Sequence, residues 1–266
     1  MAIKSHTFTA VFLSMVLMLA GCSEFSEDKT QTGEIPFFLT GMKSTRCPMQ
    51  VNVQGEAWQL DYFGFYLSNP EVRINGRWQA VKFKQNEWQS HNIALLRFHQ
   101  LCDDTAPSND NIVLDVTDKF MKRATNLRFT LGVPFEENHQ SLTSASLPLA
   151  NSEMFTNEQS GHKFLRLDLS QPDKNREWKY HLGSIGCESA SLSSAPFKAC
   201  AFTNRVEFIL PMTQLDTDLA LELSVSNIVS QVDLVNTEGC TTQTPEQQPC
   251  KKLLHNLLHR PWLKWD

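Results

Sequence analysis

The sequence predicts a mostly β protein: a single antiparallel β-sandwich or barrel-like domain over residues 34–266, with long disulfide-stapled loops and a short C-terminal helix. Three observations carry this expectation. Short runs rich in Val, Ile, Phe and Leu recur between Gly, Pro, Asn or Asp, with alternate residues apolar. Asn75-Gly76 lies between two such runs and is a strong hairpin signal. Six cysteines follow Cys22, an even set that can staple loops in an oxidising compartment.

The strands are taken in chain order. Trp58 to Leu67 is aromatic and broadly alternating; Glu71 to Ile74 and Trp78 to Phe83 flank the Asn75-Gly76 turn and make a meander. Leu127 to Leu131, Phe164 to Leu169, Arg205 to Leu210 and Leu219 to Val225 each put alternate residues on one apolar face. Helix is scarcer. Lys251 to His259 places Leu253, Leu254, Leu257 and Leu258 on one face, and Pro261 stops it. The sequence has no internal repeat.

The first residues read as an export signal. Lys4 precedes an apolar run from Phe8 to Leu19, too short for the roughly 20 residues a bilayer span requires. Leu19-Ala20-Gly21-Cys22 resembles a lipobox, which implies a signal peptide over residues 1–21 and a lipid on Cys22. Ser23 in place of Asp points to the periplasmic face of the outer membrane. Residues 22–33, rich in Ser, Glu, Asp, Thr and Gln, read as a lipidated flexible tether.

A net charge of −5 with no cluster of Lys or Arg argues against nucleic acid, which needs a concentrated basic surface. Six cysteines allow fifteen pairings in principle. Proximity favours Cys187 with Cys200 and Cys240 with Cys250, which leaves Cys47 with Cys102. Zinc is the rival reading, and it lacks the close Cys-x-x-Cys spacing.

No Gly-x-Ser-x-Gly elbow, Walker loop or dinucleotide fingerprint is present, so the chain is expected not to be an enzyme. Glu136 and Glu137 are adjacent and read as loop surface. His255 and His259 are four apart, a spacing that can hold a metal, on a face expected to be solvated. Three loops carry more weight: Gly132 to His139, Tyr180 to Cys187 with His181, and Asn86 to His91 with Trp88. Neutral imidazoles suit copper and zinc.

At these segments the chain resembles the MbnP-like proteins, the four-Cys partner in the metallo-mystery pair. The matching pieces are Cys47-Pro48, Tyr62 to Asn69, Trp88-Gln89, Ala94 to Leu96, Leu131 to Phe135, Asn138-His139, Met154-Phe155, Gly161 to Leu165, His181 to Ser184, Gly186-Cys187 and Asn204-Arg205. The resemblance implies an exported copper-binding protein for copper acquisition, storage or delivery. It also implies a partner, a di-haem cytochrome c peroxidase-like enzyme of the MauG type that oxidises a tryptophan to kynurenine. On this analogy His139 and His181 are ligands and Trp88 is the residue oxidised, with His162 and His91 as further imidazoles. Many relatives carry Met-Phe-Trp-x-Trp and then Gly-Tyr-Lys-Phe, whereas here Met154-Phe155 is followed by Thr156 and Asn157, and Gly161 by His162. His162 is then a replacement nitrogen donor. The residues also admit a metal-free binding module for a small molecule or protein partner, using Trp58, Tyr62, Phe65 and Tyr66 as a recognition surface, and an enzyme using bound copper for redox chemistry.

Overall fold

A computed structural model describes residues 32–44, 48–98, 107–212, 220–241 and 243–266. Cys22, Cys47, Cys102 and His99 lie outside them, as do the leader and the Cys47 to Cys102 pairing. The first strands are β1 (Glu34–Thr40), β2 (Met42–Ser44), β3 (Gln50–Val53), β4 (Glu56–Ile74), β5 (Arg77–Ala80) and β6 (Ile93–Phe98). β7 (Asn111–Val113) leads through the helical turn α1 (Asp118–Met121) to β8 (Ala124–Leu131), which α2 (Phe135–Asn138) follows. Next come β9 (Phe155–Asn157), β10 (Gly161–His162), β11 (Leu165–Gln171), β12 (Arg176–Leu182) and β13 (Val206–Pro211). The chain ends with β14 (Leu221–Ser224), α3 (Val225–Ile228), β15 (Gly239–Cys240), α4 (Cys250–His259) and β16 (Leu263–Trp265).

Two main sheets form. The larger is organised around β4, which runs for 19 residues. Its ends alternate buried and exposed, whereas Tyr62 to Ser68 is buried throughout, as expected of a strand covered on both faces. Residues Phe63 to Phe65 pair with both β6 and β11, so those strands flank β4 on opposite edges. β8 lies on the β11 edge, and β12 and β13 extend the sheet beyond β11 and β8. The smaller sheet has the order β16-β14-β1-β7.

Aromatic side chains join the two layers. Phe65 of β4 meets Phe37 of β1 at 6.4 Å and Trp262, just before β16, at 5.7 Å, both edge to face. One apolar core runs through both sheets. Trp58, Tyr62, Phe65 and Tyr66 all belong to it, so they present no recognition surface.

The predicted mostly β architecture is present, with local differences. β1 pairs with β14, and β12 with β15, in parallel; the remaining ladders are antiparallel. The run expected to reach Phe83 ends as a strand at Ala80, and Phe83 instead turns inward to stack on Phe129. The segment expected as strand to Val225 becomes helical there, because Ser224 accepts from the Asn227 N–H and caps a turn. Glu136 and Glu137 lie in α2 rather than in a loop.

Cys187 bonds to Cys200 and Cys240 to Cys250. The second bridge pins the start of α4 to β15. Leu253 and Leu257 are buried, whereas Leu258 is exposed, since an i, i+4 stripe already fills the available contact. His255 and His259 lie on the solvated side, their ring centroids 4.5 Å apart. Among the described residues no helix is long and apolar enough to cross a membrane.

Candidate metal centre

The site residues the sequence predicts divide between the two flanks of β4. Trp88 and His91 lie on the connection between β5 and β6. Trp88 is half-buried against the core, its backbone N–H donating to Asn86 Oδ1 at 2.7 Å, and His91 is exposed. His162 and His181 lie on the other flank, where β10 and β12 border a cleft of about 500 Å³. Thr156, Lys163, Cys187 and Thr241 also line it, whereas Trp88 and His91 do not.

His181 sits inside β12 rather than in the expected loop, opposite Arg166 of β11. Its Nε2–H donates to Asp168 Oδ1 at 2.7 Å. Arg166 holds the other carboxylate oxygen through Nε at 2.8 Å and stacks over Tyr62 at 4.1 Å. Burial pushes the Asp168 carboxyl up, but hydrogen bonds from His181 and Arg166 outweigh it and hold the group below its usual range. With Nε2–H donating to the carboxylate, the tautomer this contact selects has its lone pair on Nδ1, which has no hydrogen bond among the described residues. A carboxylate behind an imidazole is the arrangement that orients metal-bound histidines.

His162 is almost fully buried, packed between Tyr66 and Phe155 at 5.7 and 5.0 Å. Its Nδ1 faces the Asn138 carbonyl at 2.8 Å and its Nε2 the Leu149 carbonyl at 2.9 Å. Burial lowers its pKa, and these two carbonyls oppose the shift. A neutral ring has one N–H, so one nitrogen meets its carbonyl without a proton to give. Asn138 ties this residue to His139: its Oδ1 accepts from the His162 backbone N–H at 2.9 Å. Its Nδ2 lies 3.1 Å from His139 Nε2. Such closeness requires Gly161, where φ is +74° and a Cβ would stand 2.4 Å from Asn138 Nδ2.

His139 caps α2 and is buried, which lowers its pKa. Its Nδ1–H donates to the Glu158 carbonyl at 2.9 Å. The Nε2 lone pair then points toward Asn138 and toward Cys200 Sγ, 3.7 Å away. One donor atom each from His139, Cys187 and Cys200 lie within 4.8 Å of one another, a group that could hold a metal ion. Lys163, lowered in pKa by burial and by Arg166, spends its ammonium on the Glu153 and Phe155 carbonyls.

The structure therefore brings His139 and His162 together through Asn138, and His162 and His181 to one cleft. Asp168 is not among the site residues the sequence predicts, and the sequence predicts a bridge at Cys187 and Cys200 but no metal-binding part for them. For Asp168 the available signal was its place beside Arg166 and the leucines of an alternating strand.

These features define a class: a disulfide-stapled, mostly β protein in which one histidine, His139, stands beside the Cys187–Cys200 bridge as a group that could hold a metal ion. The chain belongs to the MbnP family, whose model matches residues 30–243. Among solved structures it is similar to MbnP from Methylosinus trichosporium, with 23% identity over 79% of this chain and 82% of that one and a TM-score of 0.64. At that identity the likeness establishes the fold. No curated protein matches it.

Proposed function

We propose that this protein binds copper in the cell envelope, for acquisition, storage or delivery, without turning it over. The observation that carries this reading is His181, held through Nε2 by Asp168 at 2.7 Å and placed on the cleft with Nδ1 free to donate. Family membership supports the metal. The donor set fits it, because neutral imidazole is a good copper ligand and the carboxylate beside His181 keeps the right nitrogen available. In this reading His181 holds the ion through Nδ1, and His162, released from one of its two carbonyls, supplies a second nitrogen with His139 behind it. Copper brings its affinity for such nitrogens; the chain supplies the orientation and the exclusion of water.

Thr156 sharpens the assignment. It stands where many relatives carry the first tryptophan after Met-Phe, and it lines the same cleft as His162 and His181. Trp88, on the opposite flank of β4, is the indole we assign to a di-haem cytochrome c peroxidase-like partner, and its oxidation is not required for the cleft to bind copper. The lipid on Cys22 would tether the domain to the periplasmic face of the outer membrane.

Purification from native membranes tests the whole reading. Copper that co-purifies in stoichiometric amount with an acylated Cys22 peptide is the expected result; a metal-free, unacylated protein would overturn it. Peptide masses report at the same time whether Trp88 has lost a carbon and gained an oxygen.

A further inference from the structure

We propose that His139, Cys187 and Cys200 form a second metal site, distinct from the cleft site, which opens when their disulfide is reduced and takes a soft or borderline ion such as copper(I) or zinc(II). The disulfide as it stands offers no thiolate, and thiolates are what bind these ions strongly. Three features prepare the reduced state. First, the donor atoms already lie within 4.8 Å of one another, with the His139 lone pair directed at Cys200 Sγ 3.7 Å away. Glu158 fixes the ring by accepting from Nδ1–H.

Second, the backbone holds the two cysteines together without the sulfur bridge. Ile185 and Phe202 exchange both N–H···O bonds at 2.9 Å, and the Ala201 N–H donates to the Gly186 carbonyl at 3.2 Å. Breaking the S–S bond therefore frees sulfur while the bridge between Ile185 and Phe202 still joins the two segments that carry it. Third, Cys187 is on the cleft wall, half-buried and open to a reductant, whereas Cys200 and His139 are buried behind it. A dithiol reductant gives two electrons and two protons to the S–S bond, becoming a disulfide itself and leaving two thiols here. Metal binding then releases both thiol protons, and His139 Nε2 exchanges its Asn138 hydrogen bond for the ion.

Cobalt(II) is the probe, because thiolate ligation gives it a charge-transfer absorption that imidazole alone does not. The full mature chain carrying Cys240→Ser and Cys250→Ser is reduced with a dithiol, freed of it anaerobically and titrated. We expect the absorption in the reduced protein and its absence in the oxidised one. Added Cys187→Ser and Cys200→Ser should abolish it, and His139→Gln should weaken cobalt binding by about 10-fold or more. His181→Ala should leave the thiolate absorption unchanged, which separates this site from the imidazole ligation of the cleft. A reduced protein without the band, a band that survives loss of both cysteines, or loss of the folded circular dichroism on reduction would each overturn the proposal.

Discussion

The two flanks of β4 carry the same residue types in different settings. On the β6 flank, Trp88 and His91 sit on a connection, one half-buried by core contacts and the other open to solvent. On the β11 flank, His181 is held by Asp168, and His162 is enclosed by two aromatic rings and two carbonyls. An imidazole becomes a candidate ligand when its surroundings fix one nitrogen and leave the other available. The β11 flank does this for His181.

The largest effect should come from His181→Ala, which removes the oriented nitrogen; copper affinity should fall by more than about 100-fold in a competition titration, beyond what a supporting residue alone costs. Asp168→Asn keeps the shape but weakens the hold on Nε2–H, and about 10- to 100-fold is expected. A drop equal to that of an exposed histidine would break the distinction between the flanks. Gly161→Ala puts a Cβ into Asn138 at a positive φ and should cost about 1–3 kcal/mol in urea unfolding. His91→Ala and Trp88→Phe should leave copper affinity unchanged.

Acidity gives a further test on the metal-free protein. The folded pKa of Asp168 is lowered, so its contribution is complete above its unfolded value near about 4 and disappears as pH falls through the folded one. Stability measured by urea unfolding should decline across that acid window, and Asp168→Asn should flatten the decline.

Much of the fold is legible in the sequence, because alternation over Leu165 to Leu169 and Leu127 to Leu131 reflects faces that the sheet then buries. Strands at the ends of such runs are less so: Phe83 looks like a continuing strand residue, and only the stack on Phe129 decides otherwise. The site is legible one residue at a time but not as a set. His181 and Asp168 are 13 apart, and only the register that pairs Arg166 with His181 brings the carboxylate beside the ring. Spacing likewise suggests the Cys187 to Cys200 bridge, but not that α2 delivers His139 to its sulfur.

The most direct test of the central claim is X-ray absorption on the copper-loaded protein and on its His181→Ala variant. The account predicts imidazole scattering around copper in the first and its loss, together with tight binding, in the second. An identical copper environment in both would contradict it.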